Sequence, residues 1–258
     1  MQARMQPTGM TQRNSWFSLP RPNPQARLRL FCFPYAGGTS AIYRAWPQEL
    51  PASVEVLTAQ LPGRVHRLNE PPFSNIVPLV EAIAAALPPY LDKPFAFFGH
   101  SMGALISFEL ARHLRRTRGL EPVQLFVSGR SAPQLPPNTP SLHDLPEPEF
   151  IKELRALNGT PAEVLEHPEL MHLMTPLLRA DFSVVGTYQY EPEPPLSCPI
   201  TAFGGLGDEK ISRERVAQWS EQTSGAFTLR MLPGDHFFIN TGRALLLRLL
   251  SQDLHRHL

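Results

Sequence analysis

Short apolar and β-branched runs alternate along the chain with longer segments in which apolar positions return every three or four residues. The short runs are "LRLFCF" at 28–33, "VEVLTAQ" at 54–60, "FAFFG" at 95–99, "VQLFVSG" at 123–129, "ITAFGG" at 200–205 and "FTLRML" at 227–232, and each predicts a strand. The longer segments, "VPLVEAIAAAL" at 77–87, "MGALISFELARHLRR" at 102–116, "SRERVAQWSEQ" at 212–222 and "ALLLRLLSQDL" at 244–254, predict helices. Strand and helix taking turns predict an α/β fold, a mostly parallel central sheet with helices on both faces.

The rhythm breaks between Pro133 and Pro195, where proline-punctuated helical segments replace strands. About 60 residues is far longer than an ordinary connection, so a helical subdomain inserted over the sheet, a lid, is expected at about 133–195. Its apolar positions Leu170, Met171, Met174, Leu177, Leu178 and Phe182 leave two readings open. They pack the insertion onto the core, or some of them, with Met171, Met174, Leu177 and Phe182 the candidates, line a channel for a ligand. The polar, proline-bearing stretch 1–26 reads as a flexible lead, and 27–258 as one domain carrying the insertion.

The strand–helix joint in "FAFFGHSMGALISFELARHL" carries the first chemical signal. Gly99-His100-Ser101-Met102-Gly103 puts a serine between a buried strand and a helix, boxed by glycines where the two must pass closely. A serine on that tight turn has its Oγ exposed above the sheet, and the helix start aims backbone N–H groups at an oxyanion formed there.

Composition narrows the alternatives. With 24 Lys plus Arg against 23 Asp plus Glu and a net charge of +1, no basic stripe marks a nucleic-acid partner. Cys32 and Cys198 have no metal-ligand or disulfide spacing and read as free thiols of a reducing compartment. The N-terminus lacks the apolar core of a secretory signal, and no apolar stretch reaches the roughly 18 residues of a membrane span, so a cytoplasmic protein with no membrane association is expected. A monomer is the simplest expectation.

A serine hydroxyl needs a base, and in α/β-hydrolase elbows the base follows an acid in the order Ser, Asp or Glu, His. Of the nine histidines, His100 is locked in the elbow, His113, His255 and His257 lie on Arg-rich helices, His143, His167 and His172 belong to the insertion, and His66 precedes the later strands. His236, in "MLPGDHFFIN" after the final strand run, remains as the base. Asp208, in the glycine-rich loop "GGLGDEKIS" after the penultimate run, falls on the same sheet edge and is the expected acid. Asp235 is too close to His236 to orient it and reads as a loop cap, and Asp181 reads as part of a solvated insertion face. The oxyanion donors are expected to be the N–H of Met102 and, from the loop "PYAGGTS" after the first predicted strand, that of Ala36, with Tyr35 as the alternative.

The blocks "FCFPYAGGTSAIYRAW", "LPGRVHRLNEPPF", "FFGHSMGALISFELAR", "LFVSGRSAP", "LNGTP", "FGGLGDEKIS" and "PGDHFFI" together resemble the type II thioesterases that accompany modular polyketide synthases and nonribosomal peptide synthetases. The resemblance runs from about Leu28 to the C-terminus and implies an α/β-hydrolase fold with Ser101, Asp208 and His236 as triad. It further implies hydrolysis of acyl thioesters from the phosphopantetheine arm of carrier proteins, clearing stalled or wrongly primed groups. Such a reaction needs no metal or cofactor of its own, and the carrier domain is a transient partner. The chain departs from the family pattern at Val65, where Glu is usual after "LPGR", and at Asn158 in "LNGTP". Two other readings stay open: an esterase or lipase acting on free oxygen esters, which the same triad would serve, and a hydrolase-like binding module without turnover.

Overall fold

The computed structural model describes residues 15–137, 141–157, 159 and 162–258. Its strands are β1 (Phe17–Ser18), β2 (Leu28–Phe33), β3 (Val54–Ala59), β4 (Phe95–His100), β5 (Gln124–Ser128), β6 (Ile200–Gly205) and β7 (Phe227–Leu232). They form one sheet in the order β1-β3-β2-β4-β5-β6-β7, with β1 antiparallel to β3 and every other neighbouring pair parallel. The helices are α1 (Trp46–Glu49), α2 (Ile76–Ala86), α3 (Met102–Arg118), α4 (Glu147–Leu157), α5 (Ala162–Leu165), α6 (Pro168–Gly186), α7 (Arg213–Ala217), α8 (Phe238–Thr241) and α9 (Arg243–Leu254).

A parallel sheet is covered on both faces, which is why its strands read as nearly unbroken apolar runs. Successive side chains point to opposite faces. Phe31, Phe33 and Phe97 accordingly join one core with Ile83 of α2 and Leu105 and Phe108 of α3. Leu30, Cys32, Ala96 and Phe98 join the other with Leu246 and Leu250 of α9.

The chain steps from β2 outward to β3 and then returns to the opposite side of β2 to lay down β4. That reversal opens a crevice above the carboxyl ends of β2 and β4, the position where open α/β sheets bind ligands. The loops leaving those two strands are the "PYAGG" segment and the Ser101 turn. This is the α/β-hydrolase arrangement.

Between β5 and β6 lie α4, α5 and α6, which carry a small core of their own around Phe150, Leu154, Met171 and Leu178. Met174 and Phe182 pack against that cluster, with Phe182 edge-on to Phe150 at 5.9 Å. Of the four residues considered for a channel, Met171, Met174 and Phe182 therefore pack the insertion on itself. Leu177 instead turns toward the loop after β3, where its Cδ1 lies 3.1 Å from the Cβ position of Gly63.

The lead is not detached over its whole expected length of 1–26. The Gln60 N–H donates to Trp16 O at 2.8 Å, Phe17 sits edge-on to Phe31 at 5.2 Å, and the Asn23 N–H donates to Glu55 Oε1 at 2.7 Å. The apolar pair Trp16-Phe17, set in a polar stretch, finds the exposed edge of β3 and closes it.

Candidate active site

Ser101 ends β4 and begins α3 with φ 53° and ψ −111°, a backbone conformation that costs a non-glycine residue about 1–3 kcal/mol. The surrounding structure enforces it. Its N–H donates to Ser128 O of β5 at 2.7 Å, and its carbonyl accepts from the Ala104 N–H at 3.1 Å. A Cβ at Gly99 would lie 1.9 Å from Gly103 O, and one at Gly103 would lie 2.0 Å from Phe33 O. Only glycine lets the helix start so close to both strands, and the same closeness brings Gly103 against Phe33 and Pro34 at the start of the loop after β2.

His236 follows β7 and Asp208 follows β6. The two loops are laced by backbone bonds, Leu206 N–H to Leu232 O and Gly207 N–H to Gly234 O, both at 2.8 Å. His236 Nδ1 lies 2.7 Å from Asp208 Oδ2, and the Asp208 side chain is only 2% exposed. The second carboxylate oxygen, Oδ1, accepts the N–H groups of Lys210 at 3.0 Å and Ile211 at 3.1 Å. A carboxylate so occupied can only accept from the ring, which places the hydrogen on Nδ1 and leaves Nε2 with a free lone pair. Asp235 caps its own loop by accepting from the Phe237 N–H at 2.8 Å.

The buried ring of His100 backs this pair. It lies 5.3 Å from the His236 ring, its Nδ1 is 2.9 Å from Ser128 Oγ, and Tyr35 and Phe238 meet it edge-on. Burial, and then the neighbouring His236, push its pKa well below the ordinary histidine value, so it stays neutral. A Cβ at Gly129, which has φ 60°, would lie 2.6 Å from the His100 ring. Phe237, beside His236, is in turn covered by the insertion, since a Cβ at Gly159 would lie 2.3 Å from its ring. Asn158 lies outside the described residues.

In the loop after β2 the Gly38 N–H donates to Tyr35 O at 2.8 Å, and Gly37 has φ 74°. Among the described residues, the N–H groups of Ala36 and Met102 have no protein acceptor. The Gly37 N–H is engaged, donating to Asp181 Oδ2 at 2.7 Å. Asp181 is thus not on a solvated face. It is 3% exposed and pairs through Oδ1 with Arg64 Nη2 at 2.8 Å, while Arg64 Nη1 donates to Gly38 O at 2.9 Å. Sequence reasoning missed this pair. The available signal was position: Asp181 is four residues after Leu177 and so on the apolar stripe of α6, where an acid needs a partner. Val65, next to Arg64, is 59% exposed and held at φ 52°.

The thioesterase domain family matches residues 28–254. The gramicidin S biosynthesis protein GrsT of Aneurinibacillus migulanus is 47% identical over 247 residues, covering 96% of each chain. Among solved structures, RedJ, a thioesterase from the prodiginine biosynthetic pathway of Streptomyces coelicolor, is 41% identical with a TM-score of 0.84 over 95% of this chain and 100% of its own. BorB, the type II thioesterase of the borrelidin biosynthetic cluster, is 36% identical with a TM-score of 0.84 over 93% and 98%. A family match from β2 to α9, with a relative of that identity across nearly all of both chains, makes this chain a member of the thioesterase family.

Proposed function

We propose that the protein hydrolyses acyl thioesters presented on the phosphopantetheine arm of a carrier domain, clearing aberrant or stalled groups from a polyketide or nonribosomal peptide assembly line. The observation that carries the chemistry is the 2.7 Å contact between His236 Nδ1 and a buried Asp208 beside a strained Ser101 turn. The likeness to GrsT, RedJ and BorB supports the assembly-line setting.

In this reading His236 Nε2 takes the Ser101 proton as Oγ attacks the thioester carbonyl. Asp208 holds the ring in the required tautomer and stabilises its cation. The N–H groups of Met102 and Ala36 receive the oxyanion. The thiolate departs, leaving an acyl-enzyme, and water deprotonated by His236 then releases the acid and restores Ser101.

The test is intact mass spectrometry of a carrier protein loaded with acetyl- or propionyl-phosphopantetheine, incubated with the wild type and with Ser101→Ala. Loss of the acyl mass with the wild type alone is expected. Survival of the loaded carrier while an aryl ester is cleaved would replace this reading with that of a free-ester esterase. Absence of any turnover, together with a Ser101 inert to a fluorophosphonate, would leave a binding module.

A further inference from the structure

Three side chains of α6 face the loops that follow β2 and β3. Leu177 meets the loop after β3 at Gly63, Leu178 Cδ2 lies 2.6 Å from the Cβ position of Gly37, and Asp181 reaches between the loops. Arg64 and Asp181 are 5% and 3% exposed, and between them they hold both sides of the same peptide turn. Asp181 accepts the Gly37 N–H and Arg64 donates to the Gly38 carbonyl. An ion pair this deep is weak evidence for stability, because an apolar pair of similar size commonly serves as well. Its placement on the two residues that follow Ala36 is what needs explaining.

We infer that Arg64 and Asp181 are positioning residues for the oxyanion loop: by fixing the Gly37 N–H and Gly38 carbonyl they turn the Ala36 N–H toward the reacting carbonyl. The inference rests on the oxyanion assignment made above. It also assigns the insertion helix a fixed role, since the part of α6 carrying residues 177 to 181 is then a strut of the site and not a freely moving cover. Gly37 must remain glycine for the same reason, since any side chain there would both displace Leu178 and strain a φ of 74°.

The experiment compares wild type, Asp181→Asn and the double variant Arg64→Met with Asp181→Leu, in which neither charge is left unpaired. Each is assayed for hydrolysis of a short acyl thioester of N-acetylcysteamine. Each is also titrated with an alkyl trifluoromethyl ketone, which adds a serine to form a hemiketal oxyanion, and with the matching secondary alcohol, which cannot. The double variant is expected to keep its unfolding midpoint and to lose about 100-fold in kcat, the usual effect of losing one oxyanion donor. KM should stay within about threefold, which marks an interaction made only in the transition state. Ketone affinity should fall by the same factor as kcat while alcohol affinity holds.

A double variant with kcat and ketone affinity near wild type overturns the inference, as does a loss of kcat with ketone affinity intact. If the double variant does not fold, Asp181→Asn decides the matter through its ratio of ketone to alcohol affinity. An unchanged ratio there overturns the inference, and a reduced one supports it. Wild type binding the ketone no better than Ser101→Ala does would instead remove the oxyanion reading itself, and this inference with it.

Discussion

His236 Nδ1 lies 2.7 Å from Asp208 Oδ2, while Asp208 Oδ1 accepts two backbone amides. One carboxylate therefore joins the histidine to a loop that cannot shift without breaking its own hydrogen bonds. Asp208→Asn retains a carbonyl oxygen for the amides and so keeps the fold. Its NH₂ group, however, faces Nδ1, drives the ring to the opposite tautomer and puts a hydrogen on Nε2. Under the proposed mechanism kcat falls about 10⁴-fold, with the unfolding midpoint unchanged. Steady-state kinetics beside a thermal melt checks this, and an active Asp208→Asn enzyme would remove Asp208 from the mechanism.

Gly103→Ala tests how closely α3 approaches β2. Helix propensity alone favours the alanine by about 1 kcal/mol. The added Cβ would sit 2.0 Å from the Phe33 carbonyl oxygen, a backbone atom with no room to withdraw. The clash wins, and the expected loss exceeds about 3 kcal/mol in urea unfolding. A neutral or stabilised variant would show that the helix start can slide.

His100 predicts a pH dependence of stability. Its folded-state pKa is depressed, so the folded protein holds the ring neutral while the unfolded chain binds a proton below about pH 6.5. Unfolding then takes up a proton. Stability from this group is complete above about pH 6.5 and falls as pH drops below it, with a slope of at most ~1.4 kcal/mol per pH unit. His257, also depressed by burial, adds a contribution of the same sign. His100→Gln should flatten the dependence measured by urea unfolding between about pH 5 and 7, leaving the His257 share. An unchanged slope would show that His100 protonates in place.

Phe17→Ala tests whether the lead belongs to the domain. The ring is 5% exposed and packs edge-on against Phe31 and Tyr90. Its removal is expected to cost about 3 kcal/mol. A change below about 0.5 kcal/mol, the range of surface substitutions, would mean that β1 is dispensable.

The inner strands were legible because burial on both faces writes apolar runs: β2 and β6 coincide with "LRLFCF" and "ITAFGG", and the part-buried edge strand β7 coincides with "FTLRML", where apolar and polar residues mix. The Ser101 turn was legible for a related reason, since a strand, a boxed serine and a helix follow one another in the chain. Two features were not. Phe17–Ser18 is a two-residue strand, too short to show any period, and only its partner β3 gives it an edge to join. Arg64 and Asp181 stand 117 residues apart, and charge alone reads as solvation until the fold shows both inside. For three methionine and phenylalanine positions of the insertion the sequence favoured packing and left a channel open, because an apolar helical stripe does not say what it faces.

The order in which the parts of the site leave the ribosome follows from the strand sequence. The loop after β2 and the Ser101 turn precede the insertion in the chain, Asp208 comes after it, and His236 follows β7. Contacts this distant in sequence form late, since each must close a long loop before it gains anything. A nascent or truncated chain that ends before β7 thus carries a finished serine turn with no base beside it. Hydrolysis under the proposed mechanism can begin only once β7 has joined the sheet and brought His236 to the serine turn, so the first turnover reports that this edge of the sheet has closed.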